Sequence, residues 1–586
     1  MAHDDRVESA RGRGRREVLK AIVATGAAGA VFGRAFTALA AGPGRVTSEM
    51  VRQAEWISGL TLTDSERELM LADLAESQSK LETLRAVDVA NDVPPALHFR
   101  TLAPPAPPPT EQTPWIPDRK PQRIPSSDED VIFGSAVELA YLVRKRQLSP
   151  IELARLSVER MRILDTRLSA VISVTASLGF EQARLAEAAV KKGNAGPLAG
   201  LPWGVKDLFA VPGYPTTWGS KIYANRQIPE VTAAAVERIT AAGGALMAKT
   251  AVGELAWGDV WFGGTTKNPW KPDQGSSGSS AGSAAGVAAG YWPFAIGTET
   301  WGSIVSPASR CGVTGLRPTF GRVSRHGVMA LSWSMDKVGV LARSAEDCAL
   351  VFGALHGADP RDPDSETRPF AWPPRKSFKD LRIGFAEKLF EGVALEAAGS
   401  DATENARKQR SRDQLQFDQA VLDVLRRAEG NLRPVDVKFK VPVEALSSIL
   451  TAEAATAFSG LLRAGRLGEF VRQSADAWPN VFRQGHLVTA VDYLRAQRVR
   501  TLLMRAFEDR MADVDVLVAP ALGNELLLLT NLTGHPCVTL PDGFHADGTP
   551  GGVSFIGRLH GEAEILQAAM AYQDATPFHR RRPRLG

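Results

Sequence analysis

The sequence predicts an α/β fold in which helices cover a mixed central β-sheet, with a helical hairpin ahead of it. From about residue 130 onward, amphipathic helical segments alternate with short apolar strands, the pattern of a sheet with helices packed on it. Residues 46–86 carry helical periodicity before that alternation begins, and Met50, Val51, Ala54 and Ile57 are expected on one face of the first helix. Between the two, residues 101–125 hold nine prolines, and so proline-rich a segment forms neither a helix nor a central strand.

The N-terminal segment has the layout of an export signal. Arg15 and Arg16 precede a weakly apolar run rich in Ala and Gly, which ends at Ala38-Leu39-Ala40. This order gives a charged region, an apolar region and a cleavage site, and RRxxLK resembles a twin-arginine signal. We therefore expect residues 1–41 to be a signal peptide and the mature protein to be periplasmic or secreted, without a membrane span. An uncleaved amphipathic start is the alternative.

Composition excludes several classes of function. The 586 residues carry a net charge of +4, but residues 1–40 hold seven Lys/Arg and four Asp/Glu, so the remainder is close to neutral. This balance gives no reason to expect a nucleic-acid partner. The three cysteines, Cys311, Cys348 and Cys537, are odd in number and far apart, so neither a disulfide framework nor a metal site follows. We expect no cofactor and no metal, and we leave a homodimer open.

The domain organisation is predicted in four parts, of which the signal peptide is the first. Residues 42–95 form the helical hairpin, whose second helix begins with a capping box at Thr63 and Glu66. Residues 96–129 form a Pro-rich linker, and residues 130–586 form the large α/β domain. Within it, the polar and uneven residues 390–416 are expected to be a surface insertion.

Strands and helices of the large domain are readable in order. A helix restarts at Ser149-Pro150, because proline is favoured in the first turn. LPWGVKDLFAV at 201–211 and the segment 232–252 predict a strand, a helix and a second strand. VDVLVAPAL at 514–522 predicts a buried strand near the C-terminus.

Several familiar catalytic and binding motifs are absent from the sequence or incomplete in it. GGALMAKT at 243–250 approaches a phosphate-binding loop but has Ala248 where a glycine is needed. No HExxH metal motif occurs. GSSAG at 278–282 has the letters of GxSxG, but we do not expect a hydrolase nucleophile elbow there. His535 is a lone histidine, a type more often structural than catalytic.

Three stretches combine glycine with a reactive side chain. They are LPWGVKDLF around Lys206, GSSAGS around Ser279 and Ser280, and GTETWGSIVSPASRCG around Ser303. A serine hydroxyl is a weak nucleophile until a neighbouring base takes its proton, and a buried lysine can be that base in its neutral form. The alternative is an ordinary Lys206 paired with Asp207.

Together these stretches resemble the amidase signature family. The run GSSAGSAAGVAAGYWPFAIGTETWGSIVSPASRCGVTGLRPT corresponds to the core motif of that family. GPLAGLPWGVKD upstream, TNLTGHPCVTLPDGF downstream and the final FHRRRP also correspond, so the resemblance spans roughly residues 130–580. It implies the amidase signature fold and the hydrolysis of amide C–N bonds in a small-molecule substrate.

The resemblance implies a catalytic triad of Lys206, Ser279 and Ser303. In the family the cis serine precedes the nucleophile by 24 positions, which selects Ser279 over Ser276. Neutral Lys206 is expected to deprotonate Ser279, which deprotonates Ser303 for attack and acyl-enzyme formation. The backbone N–H groups of Thr300, Trp301, Gly302 and Ser303 are the expected oxyanion hole.

The chain departs from the family motif at three positions. Glu299 replaces an aspartate, Trp301 a glycine and Val305 an arginine. Trp301 either narrows the substrate pocket or stacks on an aryl group. An apolar or aryl substrate is therefore a hypothesis, with esterase side activity left open. The expected aromatic lining of the pocket is Trp257, Trp261 and Trp333.

A weaker resemblance concerns residues 46–86, which are similar to the small C subunit of tRNA-dependent amidotransferases. The A subunit of that complex belongs to the amidase signature family. One alternative is therefore an amidotransferase A-type subunit. Another is a catalytically impaired ligand-binding homologue in which Trp301 blocks the oxyanion hole.

Overall fold

The computed structural model describes residues 46–89, 95–97, 115–118, 120–121, 124–374, 376–391 and 402–585. The chain divides into two units, residues 1–80 and residues 81–586. The predicted signal peptide and most of the predicted Pro-rich linker lie outside the described residues, so their assignments stay predictions.

In chain order, the α-helices within the described ranges are α1 Ser48–Ser58, α2 Asp64–Ala86, α3 Asp128–Ile132, α4 Ala136–Arg144, α5 Pro150–Leu168, α6 Ala176–Lys192, α7 Ala234–Ala241, α8 Ala281–Ala289, α9 Val305–Cys311, α10 Ala345–Leu355, α11 Glu387–Phe390, α12 Ala402–Arg427, α13 Ser448–Ala457, α14 Ser459–Arg463, α15 Trp478–Gly485, α16 Ala490–Met511, α17 Leu526–Thr533 and α18 Glu562–Ala575.

In the same ranges, the strands are β1 Val171–Val174, β2 Pro202–Lys206, β3 Ala245–Thr250, β4 Val260–Trp261, β5 Gly264–Thr265, β6 Lys267–Asn268, β7 Lys271–Gly275, β8 Phe294–Glu299, β9 Thr314–Arg317, β10 Lys337–Ala342, β11 Arg382–Ala386, β12 Asn431–Val435, β13 Val516–Pro520, β14 Cys537–Leu540 and β15 Val553–Gly557.

The first unit contains α1 and most of α2. The capping box at the start of α2 is present: the Thr63 N–H donates to the Glu66 carboxylate (2.8 Å), and the Glu66 N–H donates to the Thr63 hydroxyl (3.3 Å). The apolar face expected for α1 was only partly right, because Val51 is buried but Ile57 is 76% exposed. Glu55 takes a place on the buried face instead, where Arg67 neutralises it at 2.5 Å.

The second unit is built on one mixed sheet of eleven strands, ordered β1-β3-β2-β8-β10-β9-β14-β15-β13-β11-β12. Strands β2, β3 and β8 run parallel at one end and β11, β12 and β13 at the other, while the remaining pairs are antiparallel. Apolar side chains from the sheet and the surrounding helices form the core. The predicted α/β class, with a mixed central sheet covered by helices, is confirmed.

Two parallel strands bring the reactive stretches to one edge of the sheet. Trp203 of β2 pairs with Phe294 of β8, and Val205 pairs with Ile296. Parallel strands in this register end together, so Lys206 at the end of β2 lies beside the last residues of β8. The loop that follows β8 carries Ser303.

Helix α8, which follows the Gly/Ser-rich tract of residues 275–280, is completely buried. All nine residues of α8 are small or apolar, which lets the helix pack against neighbouring backbone. A Cβ on Gly282 would overlap the Ala170 carbonyl oxygen. The serines therefore stand before a buried helix rather than in a flexible linker.

Residues 402–416, expected as part of a surface insertion, form the first half of α12. Residues 392–401 lie outside the described residues. No described helix is long and apolar enough to cross a membrane.

Candidate active site

Lys206 is buried at the edge of the sheet and points at a serine. Its Nζ donates to Ser279 Oγ at 2.8 Å, to Thr298 Oγ1 at 2.8 Å and to the Thr298 carbonyl oxygen at 3.3 Å. Burial lowers the pKa of Lys206 to about 7, although the charges of Asp336 and Glu299 oppose this shift. The amine is therefore suited to accept a proton near neutral pH.

The alternative partner of Lys206 is taken by another lysine. The Asp207 carboxylate forms a buried ion pair with Lys249 Nζ at 2.6 Å. Asp207 also accepts a hydrogen bond from the Thr217 N–H at 2.8 Å. The alternative that Lys206 forms an ordinary ion pair with Asp207 is therefore wrong, because Asp207 pairs with Lys249.

Ser279 follows a cis peptide bond with Gly278. The serine side chain is 1% exposed and receives the Lys206 hydrogen bond described above. Glycine is required before it, because a Cβ on Gly278 would overlap the Gly258 carbonyl oxygen. By contrast, Ser276 turns its hydroxyl to the Ser277 carbonyl oxygen at 2.8 Å.

Ser303 is held next to this pair through its backbone. Its carbonyl oxygen accepts a hydrogen bond from the Ser280 N–H at 3.2 Å. The residue is 8% exposed, and its hydroxyl makes no hydrogen bond to any other described residue. The structure thus joins Lys206 to Ser279 directly and brings Ser303 alongside without a hydrogen bond between the two hydroxyls.

The loop that ends at Ser303 carries backbone donors that are free to bind a ligand. In the described part of the chain, none of the N–H groups of residues 300–303 donates a hydrogen bond to a backbone or side-chain atom. Gly302 has φ +86°, a left-handed conformation that turns the loop sharply. Unpaired backbone donors in a turn are what an oxyanion site requires, and the assignment of residues 300–303 to that role stays a prediction.

A buried carboxylate fixes the end of this loop. Glu299 Oε2 accepts the N–H groups of Ile304 at 2.7 Å and Val305 at 2.9 Å, and Glu299 Oε1 pairs with Arg317 at 2.6 Å. Burial alone would raise the pKa of Glu299, but Arg317 and the N–H donors lower it to about 2. Glu299 is therefore charged and anchors the backbone that follows Ser303.

Sequence reasoning missed Thr298, Arg317 and Asp336. Thr298 accepts hydrogen bonds from Lys206, Arg317 pairs with Glu299, and Asp336 Oδ1 accepts a hydrogen bond from the Thr300 hydroxyl at 2.6 Å. The only signal in the sequence was the position of Thr298 beside Glu299. The other two come from strands or loops distant in the chain.

The four tryptophans expected near the site have different environments. Trp301 and Trp333 are 39% and 47% exposed, and Trp333 lines a cavity of about 230 Å³ together with Thr298 and Thr300. Trp257 packs edge-on against Trp478 at 4.5 Å between ring centroids. Trp261 is buried. Neither Trp257 nor Trp261 lines that cavity, and their role in substrate binding stays a prediction.

His535 does not take part in this arrangement. It is buried, its Nδ1 lies 2.8 Å from the Thr533 hydroxyl, and burial lowers its pKa. Its Nε2 lies 2.9 Å from Glu508 Oε1, and its carbonyl oxygen accepts a hydrogen bond from Arg317 at 3.0 Å, so the structure gives it a structural role.

Known proteins resemble the chain over most of its length. The family model described as Amidase matches residues 152–529, so the chain belongs to the amidase family. It is an amidase signature enzyme, a hydrolase of amide C–N bonds, and the resemblance noted in its motifs is confirmed.

The chain is similar both to amidotransferase A subunits and to a peptide amidase. The chain is 34% identical over 485 residues to the A subunit of glutamyl-tRNA(Gln) amidotransferase from Thioalkalivibrio sulfidiphilus, covering 76% of this chain and 98% of the relative. The corresponding protein of Moorella thermoacetica is 32% identical over 494 residues, covering 78% and 99%. The solved structure of peptide amidase from Stenotrophomonas maltophilia superposes with a TM-score of 0.65 at 25% identity, covering 77% of this chain and 98% of that one.

Proposed function

We propose that this protein hydrolyses linear amides through an acyl-enzyme on Ser303, activated by Ser279 and neutral Lys206. The observation that carries the proposal is the 2.8 Å hydrogen bond between Lys206 and Ser279. The lysine has a pKa of about 7 and stands beside a loop whose N–H groups, at residues 300–303, find no acceptor among the described residues. A base, a relay and an electrostatic site for the oxyanion are the parts that acyl transfer needs.

The reaction is proposed to run in two halves. In the first, Lys206 takes the proton of Ser279, Ser279 takes the proton of Ser303, and Ser303 Oγ bonds to the amide carbon. The carbonyl oxygen becomes an oxyanion that the loop N–H groups stabilise. Collapse of this intermediate breaks the C–N bond, and the relay returns a proton to the leaving amine.

In the second half, water replaces the amine. The same relay takes a proton from water, whose oxygen bonds to the acyl carbon. Release of Ser303 gives a carboxylic acid and restores the starting protonation. An ester would enter the same route with an alcohol as leaving group, so esterase side activity belongs to the proposal.

Labelling with a fluorophosphonate tests the nucleophile without knowledge of the substrate. We expect the label on Ser303, with no label on Ser303→Ala and labelling slowed at least ~100-fold in Ser279→Ala. Ser276→Ala is the matched control, because it removes a hydroxyl of the same tract outside the proposed relay, and it should label within about 3-fold of wild type. Labelling of Ser303 that is equally fast in Ser279→Ala and Ser276→Ala would refute the relay.

The proposed substrates are amides that carry apolar or aryl groups. Two exposed tryptophans support this, since Trp301 and Trp333 belong to loops joined by the hydrogen bond between Thr300 and Asp336. Aromatic side chains with free faces favour contact with aryl rings. A panel of anilides and simple aliphatic amides tests the idea, and a preference for small polar amides in Trp333→Ala and wild type alike would contradict it.

An amidotransferase A-type subunit is the second candidate. It is favoured by the names of relatives at 34% and 32% identity and by the resemblance of residues 46–86 to a C subunit. In this role the acyl donor would be glutamine and the released ammonia would pass to a partner complex. Glutamine hydrolysis that appears only with amidotransferase partner subunits would favour it over the stand-alone amidase.

Export through a twin-arginine signal is proposed from residues 1–41. The supporting feature is the Arg15-Arg16 pair ahead of the Ala/Gly run. Fusion of residues 1–41 to a reporter that is active only after export tests this proposal. Export that persists after Arg15→Lys and Arg16→Lys are combined would argue against the twin-arginine route.

A further inference from the structure

A cavity of about 510 Å³ adjoins the loop that carries Ser303. We call it the arginine cavity. Its lining includes Ser277, Ser306, Arg310, Arg407, Arg410 and Asp259.

Two segments that line the arginine cavity are close in the chain to the proposed nucleophile Ser303 and to Ser279. The Ser306 N–H donates to the Gly302 carbonyl oxygen at 2.7 Å, so Ser306 lies one helical turn beyond the loop. Ser309 and Arg310 follow three and four positions later and line the same cavity, because residues at that spacing share one face of a helix. Ser277 also lines the cavity, two residues before Ser279 in the chain.

Positive charge dominates this lining. Arg410 donates to the Thr549 hydroxyl at 2.6 Å, and its nearest carboxylate, Asp547, lies 3.7 Å away. Asp547 is shared with Lys271 at 3.2 Å. Burial lowers the pKa of Arg410, and the charge of Arg310 lowers it further. The guanidinium groups of Arg310 and Arg410 line the same cavity, and their like charges repel each other.

Carboxylates compensate this charge only in part. Asp259 lines the cavity, and its Oδ2 accepts the Ser277 N–H at 2.9 Å. Within the described ranges, no carboxylate forms an ion pair with Arg310 or Arg407, and Arg310 makes one long hydrogen bond, from Nε to the Gly275 carbonyl oxygen at 3.4 Å. His545 lines another part of the wall, and burial lowers its pKa.

We propose that the arginine cavity binds an anionic group of the substrate, so that the enzyme prefers amides carrying a carboxylate near the scissile bond. Arginine suits this role because its planar fork donates two parallel hydrogen bonds to a carboxylate. The proposal rests on Ser303 as the nucleophile. It is compatible with an aryl group, because Trp333 lines the separate cavity beside Thr298 and Thr300.

Binding can be measured without catalysis. The Ser303→Ala variant is titrated by calorimetry with succinamate, whose carboxylate is on the acyl side, and with N-acetylglycine, whose carboxylate is on the amine side. The neutral analogues butyramide and N-methylacetamide are the references. We expect one of the two anions to bind at least ~10-fold more tightly than its neutral analogue, and to lose affinity as salt is added.

Substitutions then identify the cavity. In the Ser303→Ala background, Arg310→Gln should weaken binding of that anion about 10-fold to 100-fold, as expected for loss of a charged hydrogen bond. Arg407→Gln, at an exposed position, provides a second variant that should fold normally and weaken binding in the same direction. Arg412→Gln is the matched control, because Arg412 is an exposed arginine of the same helix outside the cavity lining.

Failure of the two proposals gives different results. If Ser303 is labelled but neither anion binds more tightly than its neutral analogue, the cavity proposal is wrong and the amidase proposal stands. The same conclusion follows if Arg310→Gln and Arg407→Gln bind the anion as well as Arg412→Gln does. If an anion binds in an arginine-dependent way while Ser303 stays unlabelled, the cavity is a binding site but the proposed chemistry fails.

Discussion

Removal of the Lys206 amine should abolish the pH dependence of nucleophile activation. In Lys206→Met the side chain keeps a similar length but has no proton acceptor for Ser279. The pKa of about 7 in the wild type means that about half of the lysine is neutral at pH 7, about a tenth at pH 6 and about nine-tenths at pH 8. A lysine at the ordinary value of 10.5 would be neutral in fewer than about one molecule in a thousand at pH 7.

These fractions fix the expected profile. The rate constant for fluorophosphonate labelling of Ser303 should rise about 10-fold between pH 6 and pH 8 and then level off. In Lys206→Met the rate should fall by about 10³-fold or more and lose this inflection, because no neighbouring base remains. Labelling is followed by mass spectrometry in buffers of constant ionic strength.

Two results would refute the reasoning. One is a wild-type profile that continues to rise to pH 10, since Lys206 would then have an ordinary pKa. The other is a Lys206→Met variant that folds and retains the inflection near pH 7. Lys249→Met is not a suitable control, because it would leave the buried Asp207 carboxylate unpaired, so the circular dichroism spectrum of Lys206→Met serves to establish folding.

Further predictions concern stability and the oxyanion loop. The folded-state pKa of Lys206 lies below its unfolded value, so burial of the amine costs about 5 kcal/mol below pH 7 and less as pH rises toward 10.5. Lys206→Met should therefore have a higher melting temperature than wild type at pH 7, and the difference should narrow by pH 9. A difference in melting temperature that does not depend on pH would contradict the pKa shift. Glu299→Gln leaves Arg317 buried without its counter-charge and should lower the unfolding free energy, measured by urea denaturation, by about 3–5 kcal/mol. A loss under about 1 kcal/mol would show that the Glu299–Arg317 ion pair does not hold the loop. Gly302→Ala puts a Cβ at a position with φ +86°, 3.1 Å from Ser306 Oγ. Labelling of Ser303 should therefore slow at least ~10-fold, while the unfolding free energy falls by only about 1–2 kcal/mol. An unchanged labelling rate would mean that the turn is not needed for the oxyanion site.

The local parts of this protein were readable from its sequence. The Ser149-Pro150 helix start and the Thr63–Glu66 capping box depend on residues a few positions apart, so short-range chemistry determines them. The spacing of 24 residues between Ser279 and Ser303 selected the serine that contacts Lys206, because the motif of a known family supplied the register. The α1 face was misjudged at Ile57, because apolar periodicity alone does not anticipate a buried ion pair such as Glu55–Arg67.

Long-range packing sets the electrostatics of the site. Sequence neighbours suggested that Lys206 pairs with Asp207, but the parallel register of β2 and β8 sets Lys206 against Thr298, and Lys249 neutralises Asp207 from the next strand. Burial of the amine and the free N–H groups after Glu299 exist only once distant segments pack together and exclude water. The order of amino acids specifies which residues are available for the chemistry. Packing specifies which of them is neutral, which is charged and which remains free to bind substrate, because desolvation and long-range pairing have no local signature in the chain.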